Sequence, residues 1–266
     1  MRRGDRVRLS AQSRAGSGKR GSRSVAVLTG RIRLVPETGS TNADVRALAG
    51  DGWPEGQWLR AERQSAGRGR LGRGWLSTAG NLHASTLIRL RPGDPPVSGL
   101  GLMLGVAVHA ALSGLLPEAD VQLKWPNDVM AGGAKLAGML LEREGDAVIA
   151  GIGVNVAQAP ALPDRLTAAL ADLPGGAGLM AAEVLDALVP AVDLWLARWR
   201  TGGLSAVLPE WQRRAHPPGT RLLLSMGDGP SLAGCFAGLE ADGALVLETG
   251  DGARHVVHSG DVGVLD

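Results

Sequence analysis

Cysteine, tyrosine and phenylalanine are almost missing from this chain of 266 residues. Cys235 is the single cysteine, tyrosine is absent, and one phenylalanine accompanies seven tryptophans. A lone cysteine excludes an internal disulfide and a metal cage built from cysteines, and it favours a reducing compartment. We therefore expect a cytoplasmic protein.

The sequence also shows no obvious segment that would carry it into or across a membrane. We find no run of about 18 apolar residues free of charge, and no apolar stretch of a signal peptide near the N-terminus. We therefore predict no membrane association and no secretion. Apolar residues nevertheless make up 44% of the chain, which indicates a globular protein with a sizeable core.

The positive charge is concentrated at one end. Residues 1–24 contain eight of the 28 Lys/Arg residues and one of the 26 Asp/Glu residues. The rest of the chain therefore has 20 basic and 25 acidic residues. The first 24 residues are rich in Arg, Gly and Ser, and such a composition cannot bury enough apolar surface to fold. We predict a disordered basic tail there. An inert tail or a misplaced start codon is the favoured interpretation; a nucleic-acid-binding arm and a transit peptide are the alternatives.

The most informative segment is residues 67–75, which read GRGRLGRGW. Glycine allows the backbone to approach a ligand closely, and arginine offers a planar set of donors that suits phosphate oxygens. We predict a mobile loop that closes over a phosphate-bearing ligand. Gly67, Gly69 and Gly72 also fit the G-x-G-x-x-G pattern of dinucleotide-binding folds. We reject that fold because residues 59–66 are too polar for the buried strand that it requires.

Residues 124–128 (KWPND) form a second cluster at the end of a predicted strand. A lysine there can neutralise phosphate, and Asp128 with Asn127 can hold Mg²⁺ through oxygen ligands. A plain Asn-Asp turn is the alternative.

Two polar residues also interrupt apolar strands. Lys135 begins the apolar segment 135–142, where a charge is unusual unless it faces a ligand; a strand-end lysine that reaches solvent is the alternative. Asn155 lies within the apolar segment 151–156, and a buried amide there needs partners, of which a ligand is one candidate.

Hydrophobic periodicity and turn residues predict a mixture of helices and strands. Helices are predicted over residues 43–49, 99–116 and 180–200, the first with N-cap chemistry from residues 40–42. Trp195 and Trp199, four residues apart, are assigned to the core. Strands are predicted over residues 25–28, 32–35, 82–90, 121–125, 135–142 and 147–156. After a break at residues 216–219, short strands over 221–225, 232–238, 244–248 and 254–258 indicate a small barrel.

In order and spacing, these motifs resemble those of the biotin protein ligases. The resemblance is dense over residues 37–156, weak over 160–215, and resumes at residues 243–248 and 259–262. It implies an α/β (α+β) fold, with a mixed-sheet catalytic domain like that of class II synthetases and a C-terminal SH3-like β-barrel. We therefore expect a biotin- and ATP-binding catalytic domain over residues 25–215 and the SH3-like domain over 216–266.

The family implies two reactions. Biotin and Mg-ATP give biotinyl-5′-AMP and pyrophosphate, and a lysine of a biotin carboxyl carrier protein then takes the biotin. By resemblance the catalytic residues are Lys135, Arg70 and Arg68. Positions that match the biotin site are Ser40, Thr41, Asn42, Gln64, Arg68, Gly69, Arg70 and Lys135. Positions that match the ATP site are Arg70, Arg73, Trp75, Lys124, Asn127, Asp128 and Asn155, with Asp128 as a candidate Mg²⁺ ligand.

Bifunctional members of that family carry a helix-turn-helix domain of about sixty residues before the catalytic domain, and no recognition helix fits the start of this chain. We therefore expect a monofunctional ligase that binds no specific DNA. Its expected partner is the carrier protein of a biotin-dependent carboxylase, and both a monomer and a homodimer fit. A lipoate or octanoate ligase or transferase of the same fold is one alternative. A regulator that binds nucleic acid through residues 1–24 is the other.

Overall fold

A computed structural model describes residues 27–163, 165–226 and 230–265, the first three by their backbone alone. The predicted basic tail, residues 1–24, lies outside the described residues. The larger of two sheets has eight strands in the order β1-β2-β3-β4-β8-β7-β6-β5. Strands β2 and β3 are parallel, and the other neighbours are antiparallel. The strands are β1 (Val27–Thr29), β2 (Ile32–Thr38), β3 (Trp58–Gln64), β4 (Leu82–Arg89), β5 (Val121–Lys124), β6 (Asp128–Ala131), β7 (Ala134–Glu144) and β8 (Ala147–Val154).

Helices cover both faces of this sheet because alternate strand residues point to opposite sides. Leu87 packs with Val45 of α1 (Thr41–Gly50) on one face. Its neighbour Ile88 belongs to the larger core on the other face, which includes residues of the remaining helices. These are α2 (Leu100–Leu115), α3 (Ala181–Gly202) and α4 (Leu208–Arg214).

The second sheet is antiparallel and has five strands in the order β12-β11-β10-β9-β13. They are β9 (Arg221–Ser225), β10 (Leu232–Leu239), β11 (Leu245–Glu248), β12 (Arg254–Val257) and β13 (Asp261–Val264). This C-terminal sheet packs against the larger unit. The indole of Trp125 donates a hydrogen bond to the Gly243 carbonyl (3.1 Å), and the ammonium of Lys124 donates one to the Val262 carbonyl (2.8 Å).

The predicted fold class, a mixed α/β unit followed by a small all-β unit, is confirmed, and Trp195 and Trp199 are buried as expected. One expectation is wrong, and one strand was not expected. Residues 97–115 are long and apolar enough to cross a membrane, but they form a helical region of the core, and 67% of its most apolar stretch is buried. Residues 59–66 were judged too polar for a buried strand; Trp58–Gln64 form strand β3, which is buried at its start and exposed at Glu62 and Arg63. The dinucleotide-binding fold fails for another reason: a three-residue 3-10 turn, Arg70–Gly72, stands where that fold needs a helix.

Candidate active site

The sheet face that packs against α1 continues past the N-terminus of this helix. There it forms the floor of a cavity of about 260 Å³. Two rows of cross-strand partners form the floor. The serine row consists of Ser85, Gly151 and Leu140 on strands β4, β8 and β7. The histidine row consists of His83, Gly153, Gly138 and Asp128, and thus extends to β6. Lys124 on β5 pairs with Asp128 and follows the same row.

Glycines in these rows make space for side chains that lie across the floor. A Cβ atom on Gly151 would lie 2.3 Å from Oδ1 of Asn42, and one on Gly153 would lie 2.4 Å from Cζ2 of Trp75. Both distances are shorter than any normal contact. Alanine at either position would therefore force Asn42 or Trp75 out of its place.

A network of neutral donors and acceptors surrounds the N-terminus of α1. The side-chain carbonyl of Gln64 accepts hydrogen bonds from the backbone N–H and the hydroxyl of Thr41 (2.8 and 3.0 Å). The hydroxyl of Ser85 lies 2.7 Å from that of Thr41 and 2.6 Å from Oδ1 of Asn42. The amide of Asn42 donates to a carboxylate oxygen of Glu142 (2.7 Å). These bonds hold Thr41 and Asn42 in fixed rotamers at this end of the cavity.

The predicted N-cap chemistry differs in detail. The helix begins at Thr41, and Ser40 occupies the N-cap position without a capping hydrogen bond from its side chain. Gln64 accepts the first exposed N–H instead. The hydroxyl of Ser40 therefore remains available to the cavity, which it lines.

The arginine loop (residues 67–75) folds over the cavity as a tight turn. The N–H of Gly69 donates to the Arg73 carbonyl (2.7 Å), and the N–H of Trp75 donates to the Gly67 carbonyl (3.0 Å). At the tip, Leu71 adopts a positive φ of 55° and is 71% exposed. A non-glycine residue in this conformation is uncommon, and it marks the tip as strained.

Two arginines fasten the loop to different parts of the molecule. A guanidinium nitrogen of Arg70 donates to Oδ1 of Asn127 (3.1 Å), in the turn between β5 and β6. Arg73 forms an ion pair with Asp261 (2.6 Å) at the start of β13. The C-terminal sheet therefore contributes directly to the cavity wall.

The indole of Trp75 lies across the middle of the histidine row, above Gly138 and Gly153. The ammonium of Lys135 lies 5.6 Å from the centre of the Trp75 ring system. The indole N–H is buried without a hydrogen-bond partner. An unpaired buried donor costs free energy, so this N–H favours a ligand that accepts from it.

Lys135 and Asp128 form the charged end of the cavity. Their charged groups are 2.6 Å apart, and the side chains are 15% and 6% exposed. The ammonium of Lys124 lies 3.5 Å from the other carboxylate oxygen of Asp128. Burial lowers the pKa of Lys135, and the attraction of Asp128 only partly opposes this effect. Asp128 thus holds two lysines in place beside the cavity.

Twelve of the fourteen predicted site residues line this one cavity: Ser40, Thr41, Asn42, Gln64, Arg68, Gly69, Arg70, Arg73, Trp75, Asn127, Asp128 and Lys135. The two others, Lys124 and Asn155, do not line the cavity. Lys124 is bound to Asp128 and to the Val262 carbonyl. The amide of Asn155 donates to the backbone carbonyls of Lys135 (3.3 Å) and Ala168 (3.1 Å), so in this structure it supports the Lys135 segment. The role of each residue stays a prediction.

The polar residues that sequence reasoning missed include His83, Arg165 and Asp261, which line the cavity, and Ser85, which belongs to its hydrogen-bond network. The sequence did contain a signal for His83 and Ser85. They are polar residues at alternate positions of an apolar strand, so both lie on one face of the sheet, as expected where that face meets a ligand. Asp261 lay in a segment that resembled the family but had no assigned role. Arg165 had no sequence signal.

Asp261 gives the Arg73 ion pair a pH dependence. Burial raises the pKa of this carboxyl, but the hydrogen bond and charge of Arg73 outweigh burial, and the net pKa is lowered. The ion pair therefore contributes its full stabilisation above about pH 3.9, the pKa of an aspartate in the unfolded chain. This contribution is lost as the pH falls through the lower pKa that Asp261 has in the folded protein. Asp261→Asn should lower the free energy of unfolding at pH 7 and have less effect at pH 3. Urea unfolding at both pH values tests this, and a pH-independent difference would contradict it.

A mixed sheet with a cationic, loop-covered cavity and an all-β unit behind it defines the fold class of the biotin and lipoate ligases. Residues 38–158 match the Biotin/lipoate A/B protein ligase family, and residues 221–264 match the biotin protein ligase C-terminal domain. The chain is 36% identical over 238 residues to the biotin–[acetyl-CoA-carboxylase] ligase of Mycobacterium tuberculosis (87% of this chain, 88% of the relative). It is 35% identical over 240 residues to the ligase of the same name from Paracoccus denitrificans (86% and 98%).

The structure is also similar to that of the biotin protein ligase from Aquifex aeolicus in complex with biotin and ATP. The TM-score is 0.76 at 28% identity, and the match covers 89% of this chain and 99% of the other. The chain belongs to the biotin protein ligase family.

Proposed function

We propose that this enzyme activates biotin with ATP and transfers it to a lysine of a carrier protein. In the first reaction a carboxylate oxygen of biotin attacks the α-phosphorus of ATP, which forms the acyl phosphate bond of biotinyl-5′-AMP and releases pyrophosphate. In the second, the lysine amine attacks the acyl carbon, loses a proton and displaces AMP. The observation that carries the proposal is the meeting of a neutral polar end and a cationic end in one cavity.

The cationic end suits the approach of two anions. Five cationic side chains line the cavity against two carboxylates, an excess of three positive charges: Arg68, Arg70, Arg73, Lys135 and Arg165 against Asp128 and Asp261. A carboxylate and a triphosphate repel each other, and fixed cations offset this repulsion most strongly where water is excluded. We assign Lys135 to the reacting carboxylate and α-phosphate, and Arg68 and Arg70 to the loop side of the same centre.

The neutral end suits a ureido group. Such a group has one carbonyl acceptor and two N–H donors and no charge. Thr41, Asn42 and Gln64 supply neutral partners that are already positioned by hydrogen bonds, and Ser40 adds a hydroxyl that lines the cavity. A preorganised site loses little side-chain entropy on binding. We assign these residues, with Gly69 of the loop, to biotin, and Arg73, Trp75, Lys124, Asn127 and Asn155 to the nucleotide side.

The residues present do not fit a resident metal ion. Among the described residues there is no group of three His, Cys, Asp or Glu side chains that could hold one. Both carboxylate oxygens of Asp128 already face lysine ammonium groups. Magnesium enters the proposal only as part of the Mg-ATP substrate, and Asp128 as its ligand stays a prediction.

Biotin-dependent release of pyrophosphate from Mg-ATP tests the first reaction, with lipoate as the competing acid. We expect release with biotin and little with lipoate. Transfer is then followed with streptavidin on a biotin carboxyl carrier domain and on the same domain with its acceptor lysine replaced by arginine. Release with lipoate alone would instead indicate the lipoate reaction, and no release from folded protein would contradict adenylation.

The arginine loop has a further role in this scheme, because water hydrolyses an acyl phosphate unless the site is closed. We expect amide hydrogen exchange in residues 67–74 to slow when biotin and ATP are both bound. The amides of α2 serve as the internal control, since they lie in the core. Equal exchange of the loop with and without ligands would contradict a closing role.

We further propose that the enzyme acts in the cytoplasm and that its catalytic unit (25–215) is completed by the C-terminal unit (216–266), which supplies Asp261 to the cavity. The lone cysteine supports a reducing compartment, and the Arg73–Asp261 ion pair supports the joint cavity. The nucleic-acid alternative rests on residues 1–24. Deletion of those residues should leave biotin-dependent pyrophosphate release unchanged.

A further inference from the structure

His83 is a buried polar side chain that the proposed reactions do not use. It lies at one end of the histidine row, 1% exposed, and it lines the cavity. Neither ring nitrogen makes a hydrogen bond of normal geometry, although the Thr78 backbone lies close enough to act on the pKa of the ring. Buried polar side chains nearly always make such a bond, so two nitrogens that lack one and face a cavity point to a ligand group that completes them.

The position of His83 in the sheet shows which part of a ligand it meets. Ser85, two residues along β4 on the same face, belongs to the network around Thr41 and Asn42. At about 3.3 Å per residue, the imidazole lies about 7 Å further along the floor. Asp128, the row member next to Lys135, is three strands away in the order β4-β8-β7-β6. His83 is therefore nearer to the ureido end than to the reacting end.

The surroundings of the imidazole favour its uncharged form. Burial lowers the pKa of His83, and the charge of Arg60 acts in the same direction, against an opposing interaction with the Thr78 backbone. A neutral imidazole has one N–H donor and one acceptor nitrogen. It thus suits an uncharged acceptor and offers nothing to a carboxylate or a phosphate that the nearby cations do not offer better.

We propose that His83 is a specificity-determining residue whose ring N–H donates a hydrogen bond to the thioether sulfur of biotin. The inference rests on the proposed function. In biotin the sulfur ring is fused to the ureido ring, so the sulfur is the heteroatom next to the ureido group and precedes the carboxylate chain. A thioether is a weak acceptor, and one such bond contributes selectivity rather than most of the affinity.

The experiment compares biotin with dethiobiotin, which keeps the ureido ring and the carboxylate chain but lacks the sulfur. Pyrophosphate release is measured with both acids for the wild type, His83→Phe and His83→Gln. We expect His83→Phe to lower kcat/KM for biotin about three- to tenfold, through KM, with little change for dethiobiotin. His83→Gln, which restores an N–H donor, should recover part of the preference for biotin. The KM for ATP should not change.

Thr86→Val is the matched control, because Thr86 is a buried polar residue of β4 whose hydroxyl bonds the Gln57 carbonyl outside the cavity. It should affect the melting temperature and not the ratio between the two acids. An equal loss for both acids in His83→Phe, or a loss that falls on ATP, would overturn the inference and leave the proposed function intact. Absence of biotin-dependent release in the wild type would overturn both.

Discussion

Replacement of Lys135 by methionine is expected to lower the rate of biotin-dependent pyrophosphate release by about 10²–10³-fold. A single preorganised group that stabilises developing charge contributes on this scale. The buried ammonium of Lys135 is fixed by Asp128 at 2.6 Å and faces the cavity. Methionine keeps approximately the length and apolar volume of the stem and removes the ammonium group with its charge and its N–H donors. Single-turnover formation of the adenylate at saturating biotin and ATP is the measurement.

This variant leaves the buried carboxylate of Asp128 with Lys124 alone, at 3.5 Å. Breaking a buried pair in this way costs up to about 3–5 kcal/mol of stability, and less where a second cation remains. The double variant Asp128→Asn/Lys135→Met removes the uncompensated charge. It should recover stability in urea unfolding without recovering activity. Recovery of both would mean that Lys135 acts through folding alone and not on the reaction.

The second large effect is expected from Gly151→Ala. The new Cβ atom would lie 2.3 Å from Oδ1 of Asn42, a buried side chain held by Glu142 and Ser85. Asn42 must then leave its place, and the network at the neutral end of the cavity breaks. We expect KM for biotin to rise at least about tenfold and stability to fall by about 1–3 kcal/mol. Titration with biotin in the pyrophosphate assay and urea unfolding measure the two effects.

Gly114→Ala is the control for this substitution. Gly114 lies in α2, and a Cβ atom there has no neighbour within 4 Å. Alanine in a helix stabilises by about 0.5–1 kcal/mol relative to glycine. The same chemical change should therefore raise stability at residue 114 and lower it at residue 151. Similar kinetics for the two variants would show that the floor tolerates a side chain at Gly151.

The sequence predicted the elements with strong periodicity closely. Residues 221–225 form a strand with the predicted bounds, and the helix expected over residues 99–116 spans Leu100–Leu115. Strand β3 was not predicted because the polar residues at its exposed end, Glu62 and Arg63, hide the apolar pattern of its buried start at Trp58 and Leu59. Strand β6 was missed because its four residues follow a Pro-Asn turn and are too short for a periodic signal.

The candidate site was predicted where motifs combine unusual residue types, as in the arginine loop and at Lys135. Residues that reach the site only through strand pairing or tertiary packing were not predicted. His83 joins the cavity because it pairs with Gly153, whose missing side chain leaves room for Trp75. Asp261 joins it because strand β13 begins beside Arg73, 188 positions along the chain. Tertiary packing determines this proximity, and no local sequence pattern predicts it.

The cavity floor also has a consequence for how the molecule folds. Strands β4 and β8 are neighbours at the centre of the sheet, where residues 82–89 pair with residues 147–154. The chain between these two strands must therefore close into a long loop before they can pair. Contacts so distant in sequence form slowly, because the chain loses entropy before it gains packing. The hairpin of β7 and β8 and the unit of β2, α1 and β3 can form locally. The binding cavity exists only after these two pieces meet, so ligand binding should appear late in refolding, after most secondary structure has formed.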